Sequence, residues 1–293
     1  MAVGRALGAV AMSAARAVLI TGCSSGIGRV CAHGLAARGY RVFATARNMQ
    51  DVAALAGEGL EALQLDVADP ASIAAAVDEV LVRTGGRLYA LFNNAGYGQP
   101  GAVEDLSRAV LREQFETNLF GAHELTCRVL PAMRAAREGR IVQNSSALGL
   151  VCMRFRGAYQ ASKHALEALS DTLRQELAGT GIHVSIIEPG PVKSRFRENG
   201  YAAFKRNIDR DNSAWREVYQ AVERRLALGE DKGVFTLPES AVLAKLVLAL
   251  ESRRPQPRYF VTVPTYVLAA LKRVLGTRLL DRVLLAASEG EMR

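Results

Sequence analysis

The chain has 293 residues, 49% of them hydrophobic, which suits one large α/β domain with a full core. Its net charge of +8 comes from dispersed basic residues without interleaved aromatics, so nucleic acid is not indicated, and an anionic cofactor, a membrane surface or plain solvation remains. Cys23, Cys31, Cys127 and Cys152, like the four histidines, show no paired or ligand spacing, which predicts a reducing compartment and no metal.

Residues 1–15 are rich in alanine and glycine and read as a disordered extension. Arg5, a short apolar run and small residues give a loose likeness to a signal peptide, but a buried strand must begin at once at residues 17–20. No apolar run reaches the roughly 18 residues of a membrane span.

That strand leads into Thr21-Gly22-Cys23-Ser24-Ser25-Gly26-Ile27-Gly28 and then a helix to about Arg38. Glycines permit a tight turn, and the free N–H groups of a helix start favour a pyrophosphate, so this context points to a dinucleotide. The second strand, 41–45, ends in Ala46-Arg47. Ala46 stands where NAD enzymes carry an acid for the ribose, and Arg47 suits the 2′-phosphate of NADP, with Ser25 assisting. The alternative for Arg47 is a plain surface residue.

A third strand, 60–65, ends in Asp66-Val67, where Asp66 either accepts from an adenine amine or caps the turn. A helix over 70–83 and a fourth strand over 88–92 follow, then Asn93-Asn94-Ala95-Gly96. One long helix is expected over 107–137; it contains Asn118, a poor helix former whose position favours an active-site role.

The fifth strand runs into Ser146, thirteen residues before Tyr159 in Tyr159-Gln160-Ala161-Ser162-Lys163. A spacing of four puts Tyr159 and Lys163 on one face of a helix to about residue 178. A phenol, an ammonium and a hydroxyl together suit proton transfer at an alcohol or ketone oxygen. Tyrosine, with a free pKa of about 10, must fall roughly three units to act as a base near neutrality, and a nearby Lys⁺ supplies part of that. The Ser146 hydroxyl suits the carbonyl or alkoxide oxygen. Tyr201 and Lys205 repeat the spacing without a serine-bearing strand end before them and read as a helix face or pocket wall.

A sixth strand, 182–187, ends in Glu188-Pro189-Gly190-Pro191-Val192. A basic segment over 193–233, a helix over 238–251 and a last strand over 258–262 complete the pattern. Strand–helix alternation predicts a single doubly wound (Rossmann) parallel sheet with helices on both faces, with ligands beyond the carboxyl ends of its strands. The run 266–285 mixes apolar residues with Lys272, Arg273, Arg278 and Arg282; it suits either a membrane surface or a helix pair over the cleft or a partner subunit.

Thr21-Gly22-x-x-x-Gly26-x-Gly28, Asp66-Val67, Asn93-Asn94-Ala95-Gly96, Ser146 with Tyr159 and Lys163, and Pro189-Gly190 together resemble the short-chain dehydrogenase/reductase family, over about residues 16–265. The resemblance implies one such domain over 16–293, with a substrate loop at 191–236 and a C-terminal helical segment at 264–293. It implies Tyr159 as acid/base, with Lys163 lowering its pKa and holding the nicotinamide ribose. Ser146 would orient the substrate oxygen, and Asn118 would help carry a water-linked proton path. NADP(H) would be held by Gly22, Ser24, Ser25, Gly26, Ile27, Gly28, Arg47, Asp66 and Val67. Asn93, Ala95 and Gly96 would form its wall, joined by Tyr159, Lys163, Pro189, Gly190, Val192 and Ser194. Ser146, Leu148, Met153 and Tyr159 would meet the substrate.

Phe43-Ala44-Thr45-Ala46-Arg47, Gly190-Pro191-Val192 and Tyr259-Phe260-Val261-Thr262 resemble the 17-beta-hydroxysteroid and retinol dehydrogenase group, which acts on lipophilic alcohols and ketones. Arg154, Arg156, Arg195 and Arg197 depart from a steroid or retinoid pocket and favour, as the alternative, a 3-oxoacyl thioester reductase. An alternative of another class is a non-catalytic NADP sensor. The resemblance implies a homodimer or homotetramer, built through the Asn118 and Tyr159 helices; the cysteines suit a cytoplasmic place, and peripheral membrane contact at the C-terminal segment is the one alternative to a helix pair over the cleft or a partner.

Overall fold

The computed structural model describes residues 15–228 and 233–292. Residues 1–14, most of the expected extension, and 229–232 of the expected substrate loop lie outside the described residues.

Seven strands form one sheet: β1 (Ala17–Ile20), β2 (Arg41–Ala46), β3 (Glu61–Gln64), β4 (Ala90–Asn93), β5 (Gly139–Asn144), β6 (Ile182–Glu188) and β7 (Arg258–Phe260). The order is β3-β2-β1-β4-β5-β6-β7, and all six pairings are parallel. The chain winds outward from β1 to β3, then returns to β4 on the other side of β1. That reversal opens a crevice beyond the carboxyl ends of β1 and β4.

Side-chain alternation divides β1 between two cores. Val18 and Ile20 pack on one face with Cys31 and Leu35 of α1 (Gly26–Ala36) and Leu246 of the later helix Ser240–Glu251. Leu19 packs on the other with Ile73 and Val77 of the helix Pro70–Thr84 and Leu125 and Val129 of the helix Gly121–Ala136. β1, buried on both faces, reads as the unbroken apolar run Ala17-Val18-Leu19-Ile20, as a central parallel strand should.

Between β2 and β3 lies a helix not singled out in the sequence, α2 (Met49–Gly57), started by the Asn48 side chain accepting from Asp51 N–H. The helix Pro70–Thr84 is α3. The long helix expected over 107–137 is broken: α4 (Arg108–Phe115), a five-residue π turn (Glu116–Phe120), then α5 (Gly121–Ala136). A Cβ on Gly121 would lie 1.9 Å from the Val67 carbonyl oxygen, so α5 starts in contact with the chain leaving β3. α6 (Gly157–Glu176) carries Tyr159 and Lys163. The basic segment holds two further helices, α7 (Phe196–Asn207) and α8 (Arg216–Ala227), which build a separate apolar cluster around Phe204 and Tyr219. The helix Ser240–Glu251 is α9. The last strand stops at Phe260, and α10 (Val263–Val274) and α11 (Thr277–Met292) close the chain.

Candidate active site

The glycine loop sits where β1 meets α1. Gly22 has φ +70°, and a Cβ there would come within 2.9 Å of Ala95 Cα, so the loop presses against the segment leaving β4. Ser25, the residue before α1, places no side chain on the helix start, which leaves the first-turn N–H groups for an outside anion. A Cβ on Gly28 would lie 2.2 Å from the Gly22 carbonyl oxygen, so only glycine lets the helix start so close to the turn. This glycine-bearing cradle, without a side-chain cap on the helix start, fits a dinucleotide pyrophosphate.

Asn94 fastens the loop. Its Nδ2 donates to the carbonyls of Thr21 at 2.9 Å and Gly22 at 3.2 Å, and its Oδ1 accepts from Asn144 Nδ2 at 2.9 Å. Asn93 faces the other way: its Nδ2 donates to the Ala122 carbonyl and to Thr126 Oγ1, each at 3.1 Å, under α5. The Asn93 side chain thus points under α5, while Asn94 lines the cleft. Asp66 accepts from Ala68 N–H at 2.9 Å, the turn-capping alternative, and keeps a second carboxylate oxygen. Arg47 is exposed at the end of β2, while Ala46 beside it is buried in the core.

Ser146 lies two residues beyond the end of β5 and caps a short turn, its Oγ accepting from Leu148 N–H at 3.1 Å. Tyr159 is 8% exposed, with its ring edge-on to Phe196 at 5.1 Å. Lys163 Nζ lies 5.8 Å from the centre of that tyrosine ring and donates to the Asn144 carbonyl at 2.6 Å. Burial pushes the Tyr159 phenol up to about 12, while the Ser146 hydroxyl and the Arg156 charge pull it down. Burial also lowers Lys163 to about 8, opposed by the Glu167 charge. Burial thus favours the neutral form of each group, and a protonated phenol beside the lysine is an arrangement able to give a proton to a carbonyl oxygen.

The π turn explains Asn118. Its Oδ1 accepts from Tyr97 N–H at 3.1 Å, and its Nδ2 donates to the Tyr97 carbonyl at 2.9 Å and to Ser162 Oγ at 3.1 Å. A Cβ on Gly96 would meet Asn118 Oδ1 at 3.1 Å and Lys163 Nζ at 3.9 Å. Asn118 thus stands directly behind Gly96 and close to Lys163, clamping the 96–99 loop over the site.

These parts frame a cleft of about 670 Å³. Ile27, Gly96, Ser146, Leu148, Met153, Tyr159 and Lys163 line it, as do Pro189, Gly190, Val192 and Ser194. Ser194 also approaches the glycine loop: its Cβ would stand 3.3 Å from a Cβ on Gly26.

Seven parallel strands, a glycine cradle at the switch point and Ser146 beside buried Tyr159 and Lys163 are now joined by a match of residues 16–203 to the short chain dehydrogenase model. The chain belongs to the short-chain dehydrogenase family. It is 43% identical over 269 residues to an Escherichia coli K12 protein named as the uncharacterized oxidoreductase YbbO, covering 92% of this chain and 94% of that one. It is 36% identical over 279 residues to human retinol dehydrogenase 8, covering 89% and 86%. A solved short-chain dehydrogenase/reductase from Burkholderia phymatum in complex with NAD superposes with a TM-score of 0.75 at 26% identity, covering 92% and 95%. The chain is thus an oxidoreductase of this family, close to the retinol dehydrogenase group and built for a nicotinamide dinucleotide.

Two features of this dehydrogenase's site were not read from the sequence. The first is which residues form its outer wall: Val263, Val267 and Leu271 of α10 and Val283 and Leu284 of α11 line the cleft, in line with the helix pair over the cleft that the sequence offered among its readings. Their mixed apolar and basic pattern showed an amphipathic pair, but not which surface it covers. The second is a charge cluster around buried Glu167 and Glu188. Arg258 Nη1 donates to Glu167 Oε2 at 2.7 Å and to Glu188, and Nη2 donates to Asp171 Oδ2 at 2.6 Å. The decoy pair lies on α7, with Lys205 Nζ 4.4 Å from the centre of the Tyr201 ring, and Tyr201 packs into the α7–α8 cluster.

Proposed function

We propose that this dehydrogenase uses NADP(H) to interconvert an alcohol and a ketone or aldehyde on a hydrophobic substrate. The observation that carries the reading is the position of Tyr159, buried beside Ser146 and Lys163 at the base of a largely apolar cleft. When bound, the nicotinamide supplies or accepts the hydride. Ser146 holds the substrate oxygen, and Tyr159 gives that oxygen its proton in reduction or removes it in oxidation. Lys163 holds positive charge near the phenol, and Asn118 serves the proton path from behind Gly96. Arg47, exposed and without a hydrogen bond or ion pair of its side chain to any described residue, supports the preference for a 2′-phosphate. The intact trio argues against a non-catalytic cofactor sensor.

The reading extends to assembly and place. Phe120, 48% exposed beside Asn118, and Leu169, 45% exposed on the Tyr159 helix, support a homodimer or homotetramer through these helices. Among the described residues no helix is long and apolar enough to cross a membrane. The free cysteines and the exposed Tyr266, Val274 and Leu279 of the C-terminal helices support a cytoplasmic protein with peripheral lipid contact.

Turnover of a panel of retinoid, steroid and aliphatic carbonyls with NADPH and with NADH tests the reading. The expected result is reduction of at least one lipophilic carbonyl, faster with NADPH by tenfold or more in kcat/KM. Cofactor binding without turnover across the panel contradicts it.

A further inference from the structure

We infer that Phe196 determines which carbonyls reach Tyr159: its ring closes the space beside the phenol, so the substrate carries its carbonyl at or next to the end of an apolar chain. This role rests on the carbonyl reduction proposed above and sets the shape of its substrate.

Phe196 is the first residue of α7, and its ring stands edge-on to Tyr159 with the ring centres 5.1 Å apart. Both rings line the cleft, and Phe196 is 40% exposed, so part of its ring meets whatever enters. Another part rests on Gly98, where a Cβ would lie 2.6 Å from Phe196 Cζ. A methyl group has no room at that distance, so the ring occupies the place where Gly98 has no side chain. It therefore bridges the loop 96–100 and the reacting tyrosine, and the cleft stops there.

This stop is held from several sides. Gly200, one turn along α7, brings its backbone against the same loop: a Cβ there would lie 3.2 Å from the Gly98 carbonyl oxygen. At the far end of α7, Asn207 Nδ2 donates to Gln99 Oε1 at 2.8 Å, and Gln99 N–H donates to Gln114 Oε1 of α4 at 2.7 Å. Gln99 and Gln114 are fully buried, and Arg206 donates to Glu113 of α4. Before the helix, Phe196 N–H donates to Ser194 Oγ at 3.4 Å, and Ser194 leans on Gly26 of the cradle. Displacing the ring by moving α7 would part the helix from the loop and from α4 together and leave buried amides without partners.

A carbonyl carbon carries two substituents. With its oxygen at Ser146 and Tyr159, one substituent can run along Leu226 of α8, Leu268 of α10 and Leu284 of α11, an apolar wall that suits a long chain. The other meets Phe196 and must be small, a hydrogen or a methyl group. A mid-chain ketone has bulk on both sides, and one side then overlaps the ring. The substrate class that fits is an aldehyde or a methyl ketone on a long apolar chain.

The test uses the full-length protein with NADPH and three ten-carbon carbonyls: decanal, decan-2-one and decan-5-one. The two ketones share a formula and a reacting group, so their ratio reads the space beside the carbonyl. The parent is expected to favour decan-2-one over decan-5-one by about tenfold or more in kcat/KM. Phe196→Ala should bring the two within about threefold by raising decan-5-one, and Phe196→Leu, which keeps more of the packing, should fall between. Gly98→Ala, which pushes the ring off its seat, should lower decan-2-one more than decanal, and adding Phe196→Ala should recover it. NADPH affinity measured on the same samples shows that each variant is folded. Equal turnover of the two ketones by the parent overturns the role of Phe196 and leaves the proposed carbonyl reduction standing. So does a loss in the Phe196 variants that is the same for all three substrates. If no carbonyl turns over, the proposed reaction fails, and calorimetric titration of the NADPH-loaded protein with decan-2-ol and decan-5-ol decides the role of the ring, since reduced cofactor cannot oxidise an alcohol. Tighter binding of decan-2-ol by the parent, lost in Phe196→Ala, upholds the closed side; a ratio that the variant leaves unchanged overturns it.

Discussion

Ser145 Oγ donates to Glu167 Oε1 across 2.6 Å, joining the strand end that presents Ser146 to the helix face one turn beyond Lys163. Glu167 is buried, and its other oxygen accepts from Arg258 at 2.7 Å. A Cβ on Gly149 would lie 2.1 Å from Glu167 Oε1, so the turn after Ser146 is fitted around this carboxylate. Glu167 therefore acts as a positioning residue, and its charge helps keep Lys163 protonated against burial.

Glu167→Gln keeps an acceptor for Ser145 but removes that charge. With Lys163 already lowered to about 8, the alkaline limb of kcat/KM should move to lower pH. The expected shift is roughly half a pH unit, about 0.7 kcal/mol, and Glu167→Asp should restore the parent profile. A uniform fall in rate at all pH, with the limb unmoved, would show that Glu167 only packs.

Glu188 gives the fold a pH-dependent stability. Burial first, then the neighbouring Glu167 charge, raises it from 4.5 to about 8, and its Oε2 is buried without a partner. The folded state thus holds a proton that the unfolded chain releases above pH 4.5. The contribution is fully present below that value and is lost as pH rises to about 8. Glu188→Gln should abolish that slope. The difference in urea midpoint between variant and parent should favour the variant more at pH 8 than at pH 5, by about 1–3 kcal/mol in stability. The window stops at pH 8 because Lys163, lowered from 10.5 to about 8, contributes the opposite slope above it. A difference that stays constant with pH contradicts the assignment.

Arg47→Ala should weaken NADPH by about 1.5–3 kcal/mol, tenfold to a hundredfold, and leave NADH nearly unchanged. Because Arg47 is exposed, the loss should shrink as salt rises. A parent enzyme that already prefers NADH removes the role given to Arg47.

Local spacing explains what was legible. Strand, glycine loop and helix follow one another within Ala17–Ile20 and Gly26–Ala36, and Tyr159 and Lys163 lie on one helix face, so each could be read without distant contacts. The opposite facing of the Asn93 and Asn94 side chains also had a signal. Leu91 packs under α5 and Phe92 on the opposite face, and a period of two sends Asn93 with Leu91 and Asn94 to the cleft side. The π turn carries no comparable mark; only the contact of Gly121 with Val67, 54 positions earlier, shows why the helix changes register there. The Glu167–Arg258 pair spans 91 positions and exists only once β7 lies beside β6. The cleft wall from α10 and α11 was left open because an amphipathic helix declares an apolar face without declaring its occupant.

The central claim is that Tyr159 moves the proton. Tyr159→Phe removes the phenolic hydroxyl and leaves Lys163, Ser146 and the glycine cradle in place. The decisive measurement is single-turnover reduction of the best carbonyl by NADPH, with the NADPH dissociation constant taken on the same samples, for parent, Tyr159→Phe and Tyr201→Phe. The account predicts a loss of at least about a thousandfold in the chemical step for Tyr159→Phe, roughly 4 kcal/mol, with NADPH affinity within a few-fold of the parent and Tyr201→Phe reacting like the parent. A Tyr159→Phe protein that turns over within a few-fold of the parent contradicts it.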